Sequence, residues 1–446
     1  MTWLDRQRLP SSTFRLDLDG LRHGYYSDKY FINVETILAA LRRENYRFNG
    51  QPPRELPVDV HGIPVGDIIV EAQIFNRRAP RALVAGVDAA LAMIRGAAGH
   101  YEVERFVEAF PELDVTAVHD GVFTDYGGNP AEVNTVIEIR GRYQEFALLE
   151  TPLLGILTRA SRIATNVYNV LEAAQGKSVL FFPARFDLPD VQAVDGYAYW
   201  LAVQRYNADS GHDVRPLVST DAQGAWWGGN GGGTVPHALI ACFFADTAES
   251  MLAFGRHIPV DVPRIALVDF NNDTVRDSLA VVDAFWPEYR KALEAGDETG
   301  MKRWTLNAVR LDTAGNMLDA SLSNPDDKGV SPTLVRTVRE ALDSAASRWD
   351  VPEKLRDAAN EYCRSVQIVV TGGFNRERIE RFEAEGVPAD VYGVGSTFLT
   401  NDKSTNTDFT MDVVRVRIDG QWLDVAKIGR QPGDNPDLQP VNLEEL

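Results

Sequence analysis

Over 228–239 the chain reads Gly-Gly-Asn-Gly-Gly-Gly-Thr-Val-Pro-His-Ala-Leu, which sets His237 at the start of a helix, directly after a stretch of unblocked backbone N–H groups. Glycine lets a backbone approach an anion with no Cβ in the way, and a helix start adds partial positive charge. This is a place to meet a phosphoryl group. Elsewhere, chemistry-bearing residues recur at one kind of position, just behind short apolar runs. Phe182-Pro-Ala-Arg185 closes the first run, and Ser219-Thr-Asp221 closes the second and leads on to His237. Asp269-Phe-Asn-Asn-Asp273 closes the third, Arg310-Leu-Asp312 the fourth, Thr371-Gly372-Gly373 the fifth and Gly393-Val-Gly395-Ser396 the sixth. An aromatic ring, arginines, carboxylates and two glycine turns suit a substrate with a flat ring, a sugar diol and phosphate. Singly, each has a plainer explanation: Phe182 as core, Arg310 with Asp312 as a structural ion pair, Gly-Val-Gly as an ordinary turn. Their agreement across six loops is what the plainer explanation does not supply.

Such a set works only if the six runs are strands whose carboxyl ends meet. The runs are 179–182, 217–220, 264–270, 308–311, 367–370 and 391–394, each short and largely apolar, with polar or glycine residues close behind it and a helical pattern before the next. They predict parallel strands buried by helices, hence an α/β fold with an irregular (β/α) barrel-like domain over 151–400. A long apolar helix over 152–174 opens that domain. Ahead of it come an apolar segment over 68–74, an Ala-rich helix over 82–94 and short strands at Val122 and over 136–140. The last alternates with period two, so residues 1–150 read as α+β. A hairpin around Asp419-Gly420 returns 401–446 to this first domain. The loops over 296–300 and 324–329 are too short to link domains.

The chain has 446 residues, more than one ordinary core holds, and its 44% hydrophobic and 24% charged content is ordinary globular usage. No apolar run approaches the ~18 residues that span a bilayer, and the opening Met-Thr-Trp-Leu-Asp-Arg-Gln-Arg lacks the apolar stretch of a signal peptide, so a cytoplasmic protein is expected. A formal charge of −19 disfavours nucleic acid and anionic membranes as partners. An anionic small substrate needs locally concentrated arginine. Cys242 and Cys363 are the only cysteines, which excludes a disulfide framework or a cysteine-only zinc site.

Thr151-Pro-Leu-Leu-Gly-Ile-Leu-Thr, Phe182-Pro-Ala-Arg185, Gly233-Thr234-Val-Pro-His237, Arg310-Leu-Asp312 and Gly393-Val-Gly395, in this order, resemble the nicotinate phosphoribosyltransferase family, as does Ser27-Asp28-Lys-Tyr30. The resemblance runs from about Tyr25 to the C-terminal hairpin. It implies that nicotinate attacks C1 of phosphoribosyl pyrophosphate, giving nicotinate mononucleotide and pyrophosphate. Mg²⁺ assists, and ATP hydrolysis is coupled through a phosphohistidine at the position of His237. By the same resemblance, Phe182 stacks on the pyridine ring, Arg185 and Arg310 hold carboxylate and phosphates, and Asp312 faces the ribose hydroxyls. Asp221, Asp269 and Asp273 serve the ring nitrogen side, the diol or the metal, with Asp269 and Asp273 the metal candidates. Thr234 belongs to the substrate-binding motif. Gly372, Gly373, Gly393 and Gly395 cradle the 5′-phosphate, and Ser396 is a further substrate-binding residue. The family forms homodimers with shared active sites, in which a tyrosine at the position of Tyr30 stacks on the ring in the partner's site.

The chain departs from the family at three points. Arg310-Leu-Asp-Thr-Ala-Gly-Asn316 lacks the second acid of Arg-Leu-Asp-Ser-Gly-Asp, Phe186 stands where relatives carry a second arginine, and the zinc-binding cysteines of some relatives are absent. The glycines over 228–233 are also expected to make that loop loose. A nicotinamide-using enzyme, a silent nucleotide-binding homologue, and a barrel enzyme on another phosphorylated sugar stand as rivals.

Overall fold

The structure, a computed structural model, describes residues 7–433 and 435–446. The chain divides into two compact units: one takes the chain up to Tyr168, Tyr197–Arg205 and Thr400–Leu446, the other Asn169–Gly196 and Tyr206–Leu399.

The second unit carries six short strands: β1 (Ser178–Phe181), β2 (Leu217–Val218), β3 (Ile265–Leu267), β4 (Ala308–Leu311), β5 (Gln367–Val370) and β6 (Val391–Val394). They line up in the order β3-β4-β5-β6-β1-β2, every pair parallel. Among the described residues no ladder joins β2 to β3, so the sheet is a curled half-barrel open at that edge. Val309, Leu311, Ile368, Val370, Tyr392 and Val394 are all buried, as strands sandwiched between helices require. The helices behind β3, β4 and β5 each start on a side-chain cap. Asp273 accepts from the Arg276 N–H, Ser331 from that of Leu334 and Asn375 from that of Arg378. Two runs pair over less than their apolar length. The second stops at Val218 because Thr220 leaves the strand to form a capping box with Gln223 at the helix Asp221–Gly224. The third keeps only Ile265–Leu267, and Asp269 and Phe270 pass into the loop behind it.

In the first unit a six-stranded antiparallel sheet runs Gln421–Asp424, Phe409–Ile418, Ile69–Asn76, Thr135–Arg142, Asp114–Ala117, Gln439–Pro440 in spatial order. Asp419 and Gly420, with φ of 48° and 82°, make the tight turn of the C-terminal hairpin. Val87, Leu91 and Ile94 of the helix Val87–Ala97 pack on Ile74, Ile137 and Ile139 of the sheet. The Ala-rich helix thus starts five residues later than its composition suggested. Arg81–Leu83 pairs instead with Phe123–Asp125, Gly86 turns the chain at φ 92°, and the Asp120 carboxylate accepts the Val87 N–H at 2.8 Å. The long helix spans Glu150–Ala174, and the chain passes from one unit to the other within it. No helix among the described residues is long and apolar enough to cross a membrane.

Candidate active site

All the strand-end residues belong to the second unit. The glycine-rich segment behind β2 is tied down rather than loose. Gly228 and Gly229 donate to the Gly224 carbonyl at 2.9 and 3.0 Å, Gly232 donates to Val218 at 2.8 Å, and Gly231 donates to Asp221 Oδ1 at 2.9 Å. A Cβ at residue 231 would lie 2.7 Å from the Thr220 backbone, so close approach is what demands glycine there. The expected looseness of this loop is corrected. It is held by its own bonds, with the N–H groups of these four glycines engaged inside the protein, whereas those of Gly233, Thr234, Val235 and His237, next to the helix start, find no acceptor among the described residues. Asp221, exposed, is the residue that pins it.

What the loop delivers is His237, first residue of the helix His237–Cys242. Its Nε2 lies 3.0 Å from both carboxylate oxygens of Asp269, which sits just past β3. The imidazole is 45% exposed and the carboxylate 10%. With Nε2 protonated toward the carboxylate, Nδ1 carries the lone pair, the arrangement of a nucleophile oriented by a buried acid. Burial holds the Asp269 carboxyl above its ordinary range. The His237 imidazole pulls it back, and the negative charge of Asp312 adds to the rise. Arg310, on β4, is part of the same field: burial lowers its pKa, Asp312 and Asp269 raise it, and Arg185 lowers it. Its Nη2 reaches the Val235 carbonyl at 3.5 Å, next to Thr234, and its Nε is buried with no hydrogen-bond partner. A buried guanidinium N–H without a protein partner is a donor suited to an anionic oxygen.

The ring-bearing side lies at β1 and β6. Phe182 donates its N–H to the Val394 carbonyl at 2.9 Å, and its ring covers Gly393, where a Cβ would come within 3.1 Å of it. Phe186 rests on Gly395 in the same way, 48% exposed, with the Arg185 guanidinium 5.5 Å above its ring. Behind β5, Gly372 and Gly373 are consecutive left-handed residues, φ 89° and 73°, a concave backbone turn that side-chain-bearing residues avoid. The N–H groups of Gly372, Gly373, Phe374 and Asn375 find no acceptor among the described residues, and neither do those of Gly395 and Ser396 behind β6. The two loops touch through Thr397 Oγ1, which donates to the Phe374 carbonyl at 3.2 Å. Thr371 Oγ1 donates to Asp312 Oδ1 at 2.7 Å and so sets this carboxylate beside the loop.

The structure therefore gathers His237, Asp269, Arg310, Asp312 and Arg185 into one electrostatic group. It also sets Phe182, Gly393, Gly395 and Ser396, with Gly372 and Gly373, at adjacent strand ends. Asp273 is otherwise engaged as the cap of Thr274–Ala295. No cluster of three or more His, Cys, Asp or Glu side chains fit to hold a metal occurs among the described residues. Tyr30 lies in the first unit, 58% exposed, its hydroxyl donating to Asp28 at 3.0 Å. Arg378 carries no signal in the sequence, and Thr371 is marked there only as the residue that closes the fifth run. A threonine closing an apolar strand carries no signal of the carboxylate it will meet.

No family model matches the chain. Among solved structures, it superposes on nicotinate-nucleotide pyrophosphorylase from Pyrococcus furiosus with a TM-score of 0.62 and 24% identity, over 96% of this chain and 85% of that one. It superposes on human nicotinic acid phosphoribosyltransferase with a TM-score of 0.55 and 18% identity, over 86% and 74% of the two chains. The chain has the fold of these two enzymes.

Proposed function

We propose that the protein transfers the phosphoribosyl group of phosphoribosyl pyrophosphate to the ring nitrogen of nicotinate, releasing pyrophosphate, with ATP hydrolysis coupled through His237. The observation that carries this reading is the His237–Asp269 pair set with the orphaned Arg310 guanidinium among loops of unengaged N–H groups. The name of the Pyrococcus protein describes the same bond, read in reverse as cleavage of a nicotinate nucleotide by pyrophosphate.

The ring of Phe182 stacks the base, with Arg185 facing its carboxylate. Displacement at C1 passes through oxocarbenium character, so the protein's work is alignment of the incoming nitrogen and stabilisation of a departing polyanion. Arg310 serves the anion with its free Nε, Asp312 accepts from the ribose hydroxyls, and the glycine loops behind β5 and β6 hold the 5′-phosphate. The mutual repulsion of Asp269 and Asp312 fits a divalent cation. Magnesium takes one or two carboxylates with substrate phosphates, so these two residues would hold it and Asp273 would not. When bound it neutralises charge on the leaving pyrophosphate. The Nδ1 lone pair of His237 takes the γ-phosphoryl group as the β–γ P–O bond of ATP breaks and ADP leaves, and water later cleaves the P–N bond, releasing phosphate and restoring the imidazole.

One observation favours a second reading. Phe186 leaves Arg185 as the single cation of the turn Pro183–Phe186, which suits the neutral amide as well as the acid. Exposed Tyr25, Tyr26, Tyr30 and Ile37 on the first unit suit a second copy of the chain as partner. The test is product formation from phosphoribosyl pyrophosphate and Mg²⁺ with nicotinate or nicotinamide, each with and without ATP. Nicotinate mononucleotide formed faster with ATP is expected. Turnover of nicotinamide alone would transfer the reading to the amide, and no turnover of either would end it.

A further inference from the structure

We propose that Arg378 is the positioning residue of the phosphate loop, holding Gly372 and Gly373 in the shape that leaves their N–H groups open to the 5′-phosphate of the ribosyl substrate. This rests on the function proposed above and adds a residue to its machinery. Arg378 is the third residue of the helix Arg376–Ala384, and its own N–H is taken by the Asn375 cap at 2.9 Å. The side chain turns back toward the loop. Nη1 donates to the Gly372 carbonyl and Nη2 to the Val330 carbonyl, each at 2.7 Å, while the guanidinium lies 4.0 Å over the Phe374 ring.

Two consequences follow. A carbonyl of Gly372 held on the guanidinium is kept from turning toward an incoming phosphate, and the left-handed pair is fixed in the conformer whose N–H groups lack acceptors. The second consequence is electrostatic. Arg376 and Arg381 on the same helix are neutralised by Glu380 and Glu385, each at 2.7 Å, whereas Arg378 has no carboxylate partner among the described residues. Its charge is partly buried and offset by carbonyl dipoles and the faces of Phe374 and Phe382 rather than by a carboxylate, a state that an anion in the loop relieves. Val330 belongs to the segment behind β4, so one side chain also ties the loop that carries Asp312 to the loop that carries the phosphate.

The test is calorimetric binding of ribose 5-phosphate and of pyrophosphate to the full-length protein and to Arg378→Gln. Arg381→Gln serves as a control that removes one charge from the same helix. Loss of at least about tenfold in affinity for ribose 5-phosphate is expected with Arg378→Gln. Pyrophosphate affinity should stay within about twofold and Arg381→Gln should behave as wild type. Arg378→Lys, which keeps the charge and one donor, should restore part of the loss. Equal weakening of both ligands, or of neither, overturns the inference while leaving the function intact. Failure of wild type to bind ribose 5-phosphate and phosphoribosyl pyrophosphate alike overturns the function itself. If Arg378→Gln does not fold, amide exchange over 371–378 in the wild type decides. Ribose 5-phosphate must slow it, and unchanged exchange refutes the assignment.

Discussion

Two glycine-rich loops in the second unit have similar composition and opposite uses of their backbone. Behind β2, the N–H groups of Gly228, Gly229, Gly231 and Gly232 are all engaged within the protein, on Gly224, Asp221 and Val218. Behind β5, Gly372 and Gly373 adopt left-handed conformations that leave a row of N–H groups without acceptors. The first is a bracket that presents one side chain, His237, to Asp269. The second, in the function proposed above, receives the 5′-phosphate on its backbone. Gly231 serves close packing, Gly372 and Gly373 serve positive φ, and the second use leaves N–H groups open.

The largest expected effect separates the two at once. His237→Ala should abolish the ATP-dependent acceleration, a loss of about a hundredfold or ~2.7 kcal/mol of transition-state stabilisation, while slow ATP-independent transfer persists. Steady-state rates with and without ATP read this out, and equal loss in both assays would remove the phosphohistidine role.

Glycine replacements sharpen the contrast next. Gly231→Ala meets the Thr220 backbone at 2.7 Å and should lower stability by about 1–3 kcal/mol, visible in thermal melts, with the KM for phosphoribosyl pyrophosphate unchanged. Gly373→Ala has space, its nearest neighbour being Arg378 Nη1 at 4.0 Å, but needs φ 73°. The conformational penalty is about 1–2 kcal/mol, expected as a roughly tenfold rise in that KM as the loop relaxes. The reverse pattern would exchange the roles of the two loops.

A pH series tests the bracket alone. The Asp269 carboxyl is raised by burial, so it protonates at higher pH than an ordinary carboxylate, and ATP coupling should fail on the acid side sooner than substrate binding does. For stability the sign is opposite. A carboxyl with a raised folded-state pKa stabilises most below its unfolded value, and that contribution is lost as pH rises through the folded one. Asp269→Asn should therefore flatten both profiles, and unchanged profiles would separate Asp269 from the coupling. The smallest effect belongs to Asp221→Ala, which removes the acceptor of the exposed Gly231 N–H. A stability loss of about 1 kcal/mol or less and a severalfold drop in ATP coupling are expected, with binding of ribose 5-phosphate intact.

Much of this was written in the residue order. Largely apolar four-residue runs such as 308–311, 367–370 and 391–394 appear unchanged as β4, β5 and β6, because a strand covered on both faces is marked by a short, mostly apolar run. The grouping of Phe182, Arg185, Asp269, Arg310 and Asp312 was legible for the same reason, since residues closing parallel strands must share one end of a sheet. Tertiary structure decided which groups were already satisfied. Gly228, Gly229, Gly231 and Gly232 read as part of an anion loop until Gly224, Val218 and Asp221 are seen to take their N–H groups, and only the folded chain shows Asp273 capping a helix. Arg378, six residues beyond the carbonyl it holds, reads as helix surface until its guanidinium is seen folded back. Sequence determines which donors and acceptors exist, and only the folded backbone determines which of them are left for a substrate.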